Sequence, residues 1–147
     1  MPCSSRTLSR SLFAVVGIAA LAGAFSLGVV VAQQVLPATK ATQVMQQAIA
    51  EFPGHEVTMT ILDIPPGGGS APHRHQTTHN FGYVLEGAYR IKLDDGPERV
   101  LSRGDSFYEA PNQLHAVSRN ASTTEPAKVL VVGIAEIGKP TTVPEPK

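Results

Sequence analysis

Gly69-Ser-Ala-Pro-His73-Arg-His75-Gln-Thr-Thr-His79-Asn80-Phe-Gly-Tyr-Val-Leu-Glu-Gly87 is the stretch on which the reading of this chain turns. Three of its five histidines fall within seven residues. On an extended strand, residues two apart share a face, so His73 and His75 can address one point in space. His79 has the same parity, but Gln76-Thr77-Thr78 can turn the chain and break the register. Imidazole is a borderline ligand that suits iron, manganese, nickel, copper, cobalt and zinc. Arg74, between the pair, is expected to point away from them into solvent. Phe81, Tyr83 and Leu85 alternate with the inward positions, which places them outside the sheet or at a dimer face.

The surrounding pattern is that of a turn-rich β protein. Thirteen glycines and twelve prolines punctuate 147 residues, and such residues gather at strand ends. Val57 to Ile64, Phe81 to Leu85, Ala88 to Leu93, Arg99 to Leu101, Ser106 to Tyr108, His115 to Ser118 and Lys128 to Ile134 read as strands. Asp94-Asp95-Gly96-Pro97 is a hairpin turn. Residues 43–50 fit a short helix or a strand. Short strands at close spacing predict a sandwich or barrel. His55, after Pro53-Gly54, reads as a surface turn residue.

Farther out, residues 1–32 carry a targeting signal. Arg6 and Arg10 precede a run from Leu12 to Ala32 without a charge, and Val30-Val31-Ala32 before Gln33 fits a small-residue cleavage site. The run also has the length to serve as a membrane anchor. Either reading makes the remainder an exported domain, periplasmic or secreted, or tethered to the membrane by residues 12–32. Residues 33–42 read as a linker, 43–137 as the barrel, and 138–147, with three prolines, as a disordered tail. Cys3 alone can form no internal disulfide. From Gln33 onward there are ten basic and twelve acidic residues; this balance excludes a nucleic-acid binder, which needs a basic face.

The second chemically informative segment is Gly104-Asp-Ser-Phe-Tyr-Glu109-Ala-Pro-Asn-Gln-Leu-His115-Ala-Val-Ser-Arg-Asn120. Together the two segments resemble the paired motifs of the cupin family: a His-x-His pair closed by a glycine, then a glycine-led turn, a proline-bearing corner and a histidine. Residues 88–103 separate them, a spacing typical of small bacterial members. The resemblance implies an all-β, antiparallel double-stranded β-helix or jelly-roll barrel, with His73, His75 and His115 as ligands of one divalent transition metal. The glutamate that usually follows the His-x-His pair is absent. Counted back from Gly87, its place is taken by Asn80; counted forward from His75, by His79. His79 is favoured as the fourth ligand, with Asn80 as its alternative, and either choice gives a neutral ligand set. Asn112 stands at a corner position where glycine is common and tolerates the left-handed conformation. Glu109 is expected to be solvated, with a role as partner or acid the lesser reading, and Asn120 receives no role.

Because this fold supports many chemistries, three functions follow. One is a dioxygenase-like enzyme acting on a small organic substrate. Another is a non-catalytic barrel that binds or senses a metal or small molecule. The third is a structural barrel stabilised by its metal. Pairing into homodimers through an outer sheet face is also expected; Arg90, Lys92 and Arg99 blunt open-ended strand pairing.

Overall fold

The computed structural model describes residues 36–146. The apolar segment 1–32, read as a signal or anchor, lies outside the described residues. Eleven strands are present: β1 Lys40–Ala48, β2 His55–Ile64, β3 Gly69–Ser70, β4 His73–Arg74, β5 His79–Glu86, β6 Ala88–Leu93, β7 Arg99–Ser102, β8 Ser106–Glu109, β9 Leu114–Asn120, β10 Ala127–Glu136 and β11 Val143–Pro144. One sheet runs β1-β2-β10-β5-β8; the other runs β11-β4-β9-β6-β7, with β3 beside β9. All strand-to-strand pairings are antiparallel. This is the all-β jelly-roll arrangement that the motifs implied.

Alternation in the sequence becomes inside and outside. Along β5, Asn80, Gly82 and Val84 are buried, whereas His79, Phe81 and Tyr83 are exposed. In β6, Tyr89 and Ile91 point into the core. The apolar core joins Ile64, Val84, Tyr89, Ile91, Leu101, Phe107, Ala127 and Val129, drawn from both sheets. Gly82 leaves room for the Phe107 ring: a Cβ there would sit 2.0 Å from Phe107 Cζ. Gly87, at φ 70°, turns β5 into β6, and a Cβ there would meet the Pro126 carbonyl at 2.4 Å.

The ambiguous residues 43–50 lie mostly in β1, whose residues pair with β2 from Lys40↔Asp63 to Ala48↔Glu56. Tertiary pairing overrides the helical leaning of Gln, Met and Ala. The strand therefore starts at Lys40, within the segment read as a linker. At the other end, the segment expected to be a disordered tail holds β11, with Val143↔Arg74 and Pro144↔His73. Two prolines flank that pairing, yet the unpaired edge of β4 accepts it.

A bulge in β9 sets the direction of its side chains. The register with β6 runs Lys92↔Val117 and then Leu93↔His115, so β9 holds an extra residue there. The extra residue re-phases the strand. His115, Ser118 and Asn120 are all buried despite their mixed parity.

Candidate metal centre

Adjacent strands assemble the site. His73 on β4 and His115 on β9 are register partners, and His75 follows β4 by one residue. Their ring centroids lie 5.0 Å apart for His73–His75 and 5.0 Å for His73–His115. Each can offer a nitrogen within 4.8 Å of the others'. This three-histidine group can bind a metal.

Hydrogen bonds orient the rings. His73 Nδ1 lies 2.8 Å from the Ala71 carbonyl, and His75 Nδ1 contacts the Thr141 carbonyl. A carbonyl only accepts, so both rings carry a proton on Nδ1, which leaves Nε2 to take a metal or a second proton. The Pro111–Gln113 corner clamps the segment from below: Asn112 N donates to His75 O at 2.8 Å, and Arg74 Nη1 donates to Asn112 O at 2.8 Å. Asn112 adopts φ 61°, the left-handed geometry expected of it.

Of the two expected fourth ligands, His79 lies outside the site and Asn80 faces it. His79 starts β5 on the outward face; it is exposed, and its Nδ1 lies 2.7 Å from the Tyr108 hydroxyl on the outer surface. The intervening loop broke the parity with His75, so His79 does not join the three histidines. Asn80 does face inward, 4% exposed, but its Nδ2 donates to Glu109 Oε2 at 3.1 Å.

Glu109, expected in solvent, is the residue the sequence reading missed. It is 4% exposed. Its Oε1 lies 3.0 Å from His115 Nδ1 and its Oε2 lies 3.2 Å from His75 Nε2. The inward alternation of β8, with Phe107 and Glu109 buried, was the available signal. Burial works to raise the Glu109 pKa, but the His115 and His75 imidazoles outweigh it and hold the carboxyl well below its usual range. For His75, burial pushes downward, and the Glu109 carboxylate overcomes it and raises the ring's pKa. His73 is lowered, chiefly by burial.

The donor set fits a cation. The lone pair of His75 Nε2 faces a carboxylate oxygen, an arrangement that repels unless a proton or metal ion lies between. His115 Nδ1 is buried and makes no aligned hydrogen bond, although Oε1 is near. Such orphaned, inward-facing nitrogens are the ligands a divalent transition metal takes.

The group lies in a cavity of about 550 Å³ whose lining includes Gln43, Thr58, Thr60, Ser70, Tyr89 and Thr142. Among the described residues, no lysine or arginine lines it. Arg74 points away, as expected, but it is not free in solvent: Nε and Nη2 bind the two oxygens of Glu145 at 2.7 and 3.0 Å. His55 stacks on Phe52 at the surface, with ring centroids 3.7 Å apart.

Comparison with known proteins agrees with this architecture. A double-stranded β-helix protein from Klebsiella pneumoniae superposes with a TM-score of 0.60 at 17% identity, covering 78% of this chain and 90% of the other. Recombinant oxalate oxidase in complex with glycolate gives 0.56 at 24% identity, over 72% and 54%. Among curated sequences, oxalate oxidase GF-2.8 of Triticum aestivum is 32% identical over 92 residues, 56% of this chain and 41% of that protein. Phomopsin biosynthesis cluster protein C' of Diaporthe leptostromiformis is 43% identical over 54 residues, 37% and 28% of the two chains. The chain thus spans less than half the length of these curated relatives. The cupin domain family matches residues 60–133, half of the sequence, including His73, His75, Glu109 and His115; the chain belongs to the cupin family.

Proposed function

We propose that this chain is a mononuclear metal cupin that carries out dioxygenase-like oxidoreductase chemistry on a small, oxygen-rich organic molecule. The observation that carries the reading is the convergence of His73, His75 and His115 on one point of a hydroxyl-lined cavity. A divalent ion held there supplies a Lewis acid and, if iron, manganese or copper, a one-electron redox couple. Among the described residues no lysine or arginine lines the cavity, so an ion held by the three histidines would supply the positive partner for a carboxylate or enolate oxygen. The threonine and glutamine side chains then hold the remaining oxygens by neutral hydrogen bonds. The similarity to oxalate oxidases and to a cupin-domain-containing oxidoreductase of Aspergillus ruber, 29% identical over 72 residues, supports the same class. The charge-free run Leu12–Ala32 supports a site of action outside the cytoplasm, released or tethered.

A second reading, a barrel that binds or senses without turnover, is favoured by one observation. Glu109, the lone carboxylate of the lining among the described residues, is already engaged by two imidazoles and an amide, so none of the described residues offers a free carboxylate beside the centre. The test is elemental mass spectrometry of the purified protein beside the His73→Ala/His75→Ala/His115→Ala variant, followed by oxygen-uptake assays with hydroxy acids, diketones and phenols. One ion per chain, lost in the variant, with metal-dependent oxygen uptake is expected. Metal without uptake or product selects the binding reading. No metal, even after reconstitution, overturns both.

A further inference from the structure

We propose that Glu109 is the fourth ligand of the centre, supplied from β8 across a strand pair instead of from β5, and that Asn80 positions it. This rests on the metal-centre reading above.

Asn80 and Glu109 are register partners in the β5–β8 ladder. Directly opposed residues on one face have Cβ atoms about 5 Å apart, so a carboxylate carried by either strand reaches the same space. The acid absent from β5 is present one strand over. Its oxygens lie 3.0 Å from His115 Nδ1 and 3.2 Å from His75 Nε2. Donors bound to one ion at about 2.1 Å each are spaced about 3.0 to 3.4 Å apart, and the separations from His115 and His75 lie in that range. Asn80 Nδ2 donates to Oε2 at 3.1 Å, which orients the carboxylate from the neighbouring strand. A carboxylate this deeply buried needs a cationic partner, and among the described residues no lysine or arginine lines the cavity. The three imidazoles with Glu109 then form a set carrying one negative charge, not the neutral set that His79 or Asn80 would give. The bound divalent ion keeps a net charge of one, which favours harder ions such as manganese and iron over what three imidazoles alone would hold.

The test compares Mn(II) and Zn(II) affinity, by equilibrium dialysis and the Mn(II) electron paramagnetic resonance signal, in the full chain and two variants. Glu109→Gln removes the charge. Asn80→Glu/Glu109→Asn moves the carboxylate back to β5 while keeping total side-chain volume. Thermal unfolding of the metal-free forms checks that each folds. Loss of an orienting partner costs about 10- to 100-fold, so Glu109→Gln is expected to weaken Mn(II) by more than 100-fold, and the double exchange to recover to within tenfold of the parent. An affinity for Glu109→Gln within 100-fold of the parent, or a double exchange no tighter than the single variant, overturns the assignment. If the folded parent binds neither ion, the metal-centre reading fails as well. A parent that binds while Glu109→Gln is indifferent removes the fourth ligand alone.

Discussion

Strand β9 has two ends that solve opposite problems. At one, Asn120 is 6% exposed and is satisfied by the protein alone. Its amide nitrogen lies 3.1, 3.2 and 2.8 Å from the carbonyls of Ile64, Pro65 and Glu125, and its Oδ1 accepts from Ser122 N at 2.8 Å. At the other, His115 is 3% exposed and its Nδ1 has no aligned partner. A buried polar network is worth its desolvation only when complete. The Asn120 end is complete and ties the loop at residues 121–126 to the end of β2. The His115 end is left open within the three-histidine group, where a cation could complete it. One strand thus carries both an anchor of the fold and a member of the candidate metal centre.

This contrast is open to direct attack. The largest effect belongs to the apolar core against which β9 packs: Ile91→Ala, on β6 opposite Ser118 and 1% exposed, should cost about 3 kcal/mol in denaturant unfolding while leaving metal stoichiometry unchanged at a permissive temperature. Loss of metal in that variant would show the core and the His115 end to be coupled. Next, metal at 100 times its Kd should stabilise the parent by about 2.7 kcal/mol and leave the three-alanine variant unmoved in the same thermal scan. Asn120→Ala, which orphans buried backbone groups, should cost about 2 kcal/mol, again without altering affinity.

The smaller effects lie at the site. In the metal-free protein, the pKa of His75 is raised by Glu109. Its contribution to stability is therefore full below about 6.5, the unperturbed imidazole value, and is lost as pH rises through the raised folded value. Metal must expel that proton, so affinity should rise with pH across the same window. Calorimetry in buffers of different ionisation enthalpy should show proton release that fades at higher pH; pH-independent release would contradict this. Last, Glu145→Gln breaks an ion pair between partly exposed groups. It should leave the melting temperature nearly unchanged but speed hydrogen exchange of the Val143 and Glu145 amides. Unchanged exchange would show that β11 holds without the pair.

The fold was largely legible because alternation and turn residues are local signals. Phe81–Leu85 and Ala88–Leu93 were found almost to their observed ends. His73, His75 and His115 were legible because two motifs fix their spacing. What escaped depended on partners distant in sequence. His79 shares parity with His75 on paper, but the loop between them resets it. Glu109 looks like any surface glutamate until β8 pairs with β5 and turns it inward. Asn120 gains its role from carbonyls on two other segments. The proline-bearing tail gives no strand signal of its own; the free edge of β4 supplies the reason for it to order.

The tail contacts also bear on the order of assembly. Arg74 and Glu145 are 71 positions apart, and His75 and Thr141 are 66 apart. Loops this long close at a cost that grows only about 0.6 kcal/mol per doubling of length, so the contacts are affordable at equilibrium, but contacts between distant positions form slowly. A nascent barrel can thus be compact while His75 still rotates freely. In a refolding experiment, metal capture would then report the final stage of maturation, after the strands that give the barrel its shape have already closed.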